Sequence, residues 1–333
     1  MCLCLSARIL SDIILDHNAG GESLVSLKSL LNRFKSSQNA GALGLGMCPD
    51  GFSVARFTPG AEGPTLKQCD FLLNMDGAPP VAELKNRVHD YKLQGADCHV
   101  CLPVSEYNLL LVEAPKVPEE ELREAIRWKV KDLLPYPLEE AAIDVFPLPP
   151  ESSRGRNMVY AVAMPEAEVL RIKAMLDEVG LKLASLGIME LALRNLTEQI
   201  VEDERGICLV YLKQNRGLLV LLKGSSVFLS RQFDVNYNAG LFDELPEDQL
   251  ILELQRSLDY YERQMGQAPP GKILFCGENV SGDKITETLQ GAFRSEVAVL
   301  DVSPLTGAEV FESSLLNLAL PAIGAAMTQG GNS

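Results

Sequence analysis

The sequence ALGLGMCPDGFSVARF, residues 42–57, predicts a strand, a turn and a second strand. Asp50 and Gly51 supply the turn, since both residue types favour tight hairpin connections. The second half of the chain starts in the same way, with ICLVYL, the turn KQNRG, LLVLL and then VFLSRQF over residues 207–233. Each half continues with alternating strands and helices. This order predicts an α/β protein with mixed sheets and two similarly built halves.

The composition is that of a globular protein, with 333 residues of which 47% are hydrophobic. A chain of this length is expected to form two domains. The net charge of −15 argues against nucleic acid as a partner, because a basic surface is needed to displace the counterions of phosphates. The sequence contains no run of ~20 apolar residues and a poor match to a signal peptide. We therefore expect a cytoplasmic protein with no transmembrane segment.

Two of the eight cysteines form the motif Cys98-His99-Val100-Cys101, which has the spacing of a metal-binding pair. A structural zinc site needs four ligands, and the sequence has no second CxxC or HxxxH motif. The run also alternates like a strand, in which successive side chains point to opposite faces. We therefore predict a buried strand with reduced thiols and no metal.

Residues 1–41 are predicted to be an N-terminal extension. Residues 24–34, LVSLKSLLNRF, have apolar side chains at helical spacing, and Lys28, Arg33 and Lys35 add positive charge. This pattern predicts a weakly basic amphipathic helix. Two interpretations are open: a helix that docks on the protein or frays, and one that contacts a membrane surface. The first is favoured, because three positive charges attract anionic lipid only feebly.

The clearest helix begins after Pro118, which fits a first helical turn. The glutamates at residues 119–121 lie at the positive end of the helix dipole, and Pro135-Tyr136-Pro137 ends the helix. Its apolar stripe contains Leu122, Ala125, Ile126, Val130 and Leu133.

Trp128, the only tryptophan, lies about 150° around this helix from the centre of the apolar stripe. Arg123 and Arg127 are on the same side. One interpretation is that Trp128 packs on a second layer. The other is that it is an exposed anchor beside a peptide groove, where Trp and Arg are favoured.

The run EEELREAIRWKVKDLLPYPLEEAAIDV, residues 119–145, resembles the signature of the PilM-type actin-like proteins of type IV pilus assembly. LELQRSLDYYERQ at residues 252–264 and PAIGAAM at residues 321–327 match the same family in the same order. Within the family, the lack of a transmembrane span and the poor nucleotide motifs indicate resemblance to the MshI branch, which serves the mannose-sensitive haemagglutinin (MSHA) pilus. The cytoplasmic domain of the type II secretion protein GspL is a looser relative that shares the fold.

The resemblance implies an actin-like (ribonuclease H-like) fold, in which two lobes flank a nucleotide cleft and the first lobe carries an inserted α/β subdomain. We expect the first lobe at residues 42–205, with the insert near residues 70–146. The second lobe is expected at residues 206–329.

The resemblance also implies a partner, the short cytoplasmic tail of a PilN-like bitopic inner-membrane pilus protein, bound in a groove at the insert. The pilus assembly ATPase is a second candidate partner. Candidate partner-binding residues are Arg123, Arg127, Trp128 and Tyr136.

An actin-like ATP site uses two hairpin loops, an adenosine-contact turn and aspartates that orient magnesium. In the family the first loop is roughly GIDIG, but here Gly44 replaces the aspartate of that motif. In the second loop, roughly VDIG, Tyr211 replaces the acid and Lys213 the glycine. The glycine-rich third element is reduced to Cys276-Gly277-Glu278. All three elements are therefore altered at once.

These changes leave nothing to position magnesium or a hydrolytic water, so we expect a pseudo-ATPase without a cofactor. Gly44, Gly46, Lys213 and Gly277 are the candidate residues of this degenerate cleft. An alternative is that ATP or ADP binds without being hydrolysed, because Lys213 or Arg216 can attract a phosphate as a point charge.

The predicted function is a scaffold, held at the inner membrane by the partner tail that it docks. Alternatives are an actin-like ATPase whose nucleotide state controls docking, and the actin-like component of a type II secretion-like system. A sugar kinase-type enzyme on the same superfold is disfavoured by the missing phosphate-loop acids.

Overall fold

The computed structural model describes residues 42–60, 63–75, 77–153, 155–237, 245–278, 280–307 and 309–328. The helix predicted within residues 1–41 lies outside these residues. The strands are β1 (Leu43–Cys48), β2 (Gly51–Gly60), β3 (Gly63–Leu73), β4 (Asp97–Leu102), β5 (Asn108–Glu113), β6 (Ala141–Pro147), β7 (Met158–Pro165), β8 (Lys182–Ile188), β9 (Ile207–Lys213), β10 (Arg216–Lys223), β11 (Ser226–Asp234), β12 (Lys272–Gly277) and β13 (Glu296–Val299). The helices are α1 (Val81–Asp90), α2 (Glu119–Val130), α3 (Glu166–Val179), α4 (Met189–Ile200), α5 (Glu247–Arg263), α6 (Gly282–Leu289), α7 (Ser313–Leu318) and α8 (Leu320–Ala326).

Two five-stranded sheets are built alike. The first has the strand order β3-β2-β1-β4-β8 and the second the order β11-β10-β9-β12-β13. Each begins with an antiparallel hairpin, β1–β2 or β9–β10, and then adds strands parallel to the first strand of that hairpin. The predicted mixed sheets and the three hairpin-linked strands β9, β10 and β11 are confirmed. Their apolar faces, together with the helices packed on them, form one continuous core.

A third, antiparallel sheet of order β5-β7-β6 lies between β4 and α3 in the sequence. We call residues 103–165 the insert. Helix α2 covers one face of this sheet, where Ile126 and Val130 pack in a small separate core. The expected boundaries near 70–146 were too early, because β3 and β4 pair within the first sheet and β7 pairs within the insert.

Helix α2 starts after Pro118 as predicted but ends at Val130, where the 3₁₀ turn Lys131–Leu133 follows. A 3₁₀ turn has about 3.0 residues per turn instead of about 3.6, so it rotates the next side chains away from the stripe. Leu133 is therefore exposed, against the prediction, and Leu134 packs on the insert core in its place.

Helix α8 returns to the first sheet although it follows the second sheet in the sequence. It packs on β1, β2, β4 and α4, and all its residues are buried. A Cβ atom on Gly44 would lie 1.9 Å from the Ala322 carbonyl oxygen, and one on Gly46 would lie 2.6 Å from Pro321 Cβ. The assignment of residues 206–329 to the second lobe is therefore wrong at its end, since α8 belongs by packing to the first lobe.

The motif of Cys98 and Cys101 forms β4, and both side chains are buried free thiols as predicted. Burial raises the pKa of the Cys98 thiol to about 12, so the group stays protonated at neutral pH. His99 Nδ1 lies 2.7 Å from Ser185 Oγ on β8. The described ranges contain no group of three residues suited to hold a metal ion. None of their helices has the length and apolar character that crossing a membrane requires.

Gly44→Ala is expected to lower the free energy of unfolding by about 3 kcal/mol, because the added methyl group overlaps the α8 backbone. Gly282→Ala is the matched control: its Cβ would meet no atom within 4 Å, at the first residue of α6, so little or no loss is expected. Urea unfolding followed by circular dichroism measures both variants. Equal stabilities would contradict the close packing of α8 on β1.

Candidate functional site

The two hairpins meet through an ion pair. Lys213, the last residue of β9, places its Nζ atom 2.9 Å from Asp50 Oδ2 in the β1–β2 turn. The same atom is 3.8 Å from Glu278 Oε2, just after β12, and 5.1 Å from the centre of the Phe71 ring. The Lys213 side chain is only 8% exposed. We call Lys213, Asp50 and Glu278 the ion cluster. It links the three segments in which the sequence predicts altered nucleotide motifs.

The ion cluster holds two carboxylates and one ammonium. Asp50 Oδ1 and Glu278 Oε2 are buried, and neither has a hydrogen-bond partner among the described residues. The excess of negative charge opposes the approach of a polyphosphate, which is itself strongly negative. Lys213, expected to be a point charge available to phosphate, is instead paired within the protein.

The glycines of the predicted cleft have packing roles that need no ligand. Gly44 and Gly46 face α8, as described above. Gly277 has a φ of +115°, and a Cβ on it would lie 2.1 Å from the Leu212 carbonyl oxygen. Glycine is required there both by the left-handed backbone and by the close approach of β9. A nucleotide-binding role for these residues stays a prediction.

Tyr211, on β9, stands where the family motif has an acid. Burial raises the pKa of its phenol well above the usual range, so the side chain is neutral at neutral pH. A neutral phenol lacks the charged oxygen that magnesium sites use. Cys48, at the end of β1, is also neutral, because burial raises the pKa of its thiol to about 12 although Lys213 opposes the shift.

The outer surface of α2 exposes large apolar side chains. Trp128 is 62% exposed, and Leu133 in the following turn is 55% exposed. The interpretation that Trp128 packs on a second layer is therefore wrong for the part of the chain that is described. Exposed aromatic side chains of this kind are typical of protein contact surfaces.

Two other candidate partner-binding residues make contacts inside the insert. Arg127 Nη1 donates to the Ala141 carbonyl oxygen at 2.8 Å, and Nη2 donates to that of Leu138 at 2.7 Å. Tyr136 donates its hydroxyl hydrogen to Asn108 Oδ1 at 3.3 Å. These bonds fasten the connection between α2 and β6. Arg123 also has an interaction partner in the protein, so Trp128 remains the candidate with a largely exposed side chain.

Sequence reasoning missed Glu190, the second residue of α4, which is fully buried. Its carboxylate accepts hydrogen bonds from the Tyr107 hydroxyl at 2.5 Å and the Ser230 hydroxyl at 2.8 Å. Burial raises the pKa of Glu190 above its ordinary value, and these two donors oppose the shift. The available signal was an acid inside the apolar run GIMELAL, residues 187–193, since such residues are buried only with partners.

Comparisons with known proteins support the fold. No protein-family model and no curated protein sequence matches the chain. Among solved structures, the chain is similar to the PilM–PilN type IV pilus biogenesis complex, with 20% sequence identity and a TM-score of 0.67 over 87% of this chain and 98% of that one.

The chain is also similar to the cytoplasmic domain of EpsL, an inner membrane component of the type II secretion system of Vibrio cholerae. Here the identity is 13% and the TM-score 0.50, over 82% of this chain and 97% of that one. At such identities the likeness concerns the fold alone. The protein therefore has a two-lobed, actin-like α/β fold with mixed sheets, and its first lobe carries the insert.

Proposed function

We propose that this protein is a PilM-like scaffold for the assembly of a type IV pilus of the MSHA type. It docks the cytoplasmic tail of a PilN-like inner-membrane protein and does not hydrolyse ATP. The observation that carries the proposal is the ion cluster, in which Lys213 is already paired with carboxylates of the chain. In this role the protein works in the cytoplasm and reaches the inner membrane through its partner.

The proposed absence of ATP hydrolysis is supported by the chemistry at the junction of the hairpins. Phosphoryl transfer needs magnesium held by charged oxygens and a positive charge directed at the phosphates. Gly44 offers no side chain at the first position, and Tyr211 offers a neutral phenol at the second. Lys213 is held by Asp50 and Glu278, so using it for a phosphate would leave both carboxylates unpaired.

The choice of partner is supported by the likeness of this fold to PilM in a complex with PilN. The residue 119–145 signature supports the PilM-type family, and the altered nucleotide motifs support the proposed MshI branch. Docking on the insert is supported by Trp128, because an exposed indole offers a large apolar surface and an N–H donor. Arg127 fixes the segment after α2, which keeps that surface rigid.

ATP with magnesium is expected neither to raise the melting temperature nor to be hydrolysed. A ligand at a hundred times its dissociation constant would add about 2.7 kcal/mol to the stability, which a thermal scan detects easily. Differential scanning fluorimetry and a phosphate-release assay, each with an EDTA control, measure the two effects. A magnesium-dependent rise in melting temperature with ATP would contradict the pseudo-ATPase proposal.

Lys213→Met is expected to lower the free energy of unfolding by about 2 kcal/mol at pH 7, because it leaves two neighbouring carboxylates unpaired. The loss should be smaller than for a fully buried pair, since the Asp50 and Glu278 side chains are 21% and 27% exposed. Adding Asp50→Asn and Glu278→Gln to the same variant should restore most of the stability. Urea unfolding measures this series. An unchanged free energy of unfolding for Lys213→Met would contradict the proposal that the ion cluster holds the two hairpins together.

Trp128→Ala is expected to weaken binding of a synthetic tail peptide from the PilN-like protein by about 1–3 kcal/mol. The melting temperature should stay unchanged, because the indole is largely outside the core. Tyr260→Ala, at an exposed aromatic residue on α5, is the matched control and should bind normally. Isothermal titration calorimetry measures all three proteins. Equal affinity of wild type and Trp128→Ala would show that the α2 surface is not part of the docking site.

A further inference from the structure

Glu190 stands where three parts of the molecule meet. It lies at the start of α4, the helix that joins the last strand of the first sheet to the second sheet. Tyr107, which donates to Oε2, directly precedes β5 of the insert. Ser230, which donates to Oε1, lies in β11 at the edge of the second sheet. A single carboxylate of the first lobe therefore binds the insert and the second lobe at once.

Ser230 makes a second link to the insert. Its backbone N–H donates to the phenol oxygen of Tyr160 at 3.1 Å, and Tyr160 belongs to β7, the central strand of the insert. Because β11 is an edge strand, an N–H group that points away from the sheet needs such an acceptor. At the surface, Gln267 Nε2 also donates to the Glu151 carbonyl oxygen at 3.2 Å. The hydrogen bonds at Ser230 and Glu190 are buried or partly buried, whereas the Gln267 bond is exposed.

Because Glu190 is buried, its stability depends on these hydrogen bonds. A buried carboxylate is stable only when its oxygens are hydrogen-bonded, and loss of one donor leaves an unsatisfied charged oxygen. If the insert moves away, Glu190 loses Tyr107; if the second lobe moves away, it loses Ser230. Loss of either donor leaves the buried carboxylate less stable, and the hydrogen bond to the other donor then holds its lobe less firmly.

We infer that Glu190 is a joint that couples the opening motions of the insert to those of the second lobe. Glu190 is fully buried and acts through its hydrogen bonds with Tyr107 and Ser230, so it is a positioning residue. In one respect the inference rests on the proposed function: docking on α2 is the event that would use the coupling. The coupling itself is a property of the free protein and can be measured without a partner.

Hydrogen exchange of the full chain, followed by mass spectrometry, tests the joint. Glu190→Gln and Tyr107→Phe preserve side-chain shape and should raise exchange roughly tenfold in both β7 and β11, the effect of losing one hydrogen bond to a charged group. Tyr91→Phe is the matched control. It also removes a tyrosine–carboxylate hydrogen bond, to Asp70, but within the first lobe, so β7 and β11 should keep their protection.

Faster exchange confined to the insert in both joint variants would overturn the inference, because it would show two independent contacts. Equal acceleration by Tyr91→Phe would overturn it as well, since the effect would then be general destabilisation. Exchange in β9, at the centre of the second sheet, reports whether each variant is folded. No tail peptide is present, so failure of the docking proposal would leave this result unchanged.

Discussion

Helix α8 reaches the first sheet only because β1 carries glycines where the helix backbone passes. Gly44 and Gly46 leave no room for a Cβ beside Ala322 and Pro321, and Gly324 lies equally close to Ala192 on α4. This contact brings α8 back to β1, although α8 follows the second sheet in the sequence. The buried residues of the two halves belong to one continuous core. Small residues on both sides give the close packing that dispersion forces require.

The ion cluster acts at the other end of β1. There the chain leaves the sheet at Cys48, turns at Asp50 and meets Lys213 of the second hairpin. An ion pair with two carboxylates is a poor source of net stability, because desolvation offsets much of the attraction. It does constrain geometry, since the Asp50 carboxylate would lose its ion-pair partner if the second hairpin moved away. The Lys213 side chain, expected as a point charge for phosphate, is thus engaged by carboxylates of the chain.

The insert is attached by two different kinds of contact. Its sheet contributes Phe146 and Tyr160, which pair across β6 and β7, to the main core. A polar link to the second lobe runs from the Tyr160 phenol oxygen to the backbone N–H of Ser230, whose hydroxyl donates to Glu190 of the first lobe. Apolar packing tolerates small shifts, whereas buried hydrogen bonds to a carboxylate are directional. The insert that carries α2 therefore has an apolar base and a directional polar link to the rest of the molecule.

The sequence by itself determined the local structure: the hairpins, the start of α2 after Pro118, and the buried thiols of β4. These features depend on periodicity and turn chemistry within a few residues. Tertiary structure alone decided that α8 packs on β1, that Lys213 pairs with Asp50 across 163 positions, and where the insert begins and ends. It also decided that Trp128 is exposed while Arg127 is held by carbonyl oxygens. Such outcomes depend on which buried faces and charges meet after the chain folds back, and a local pattern contains no information about that meeting.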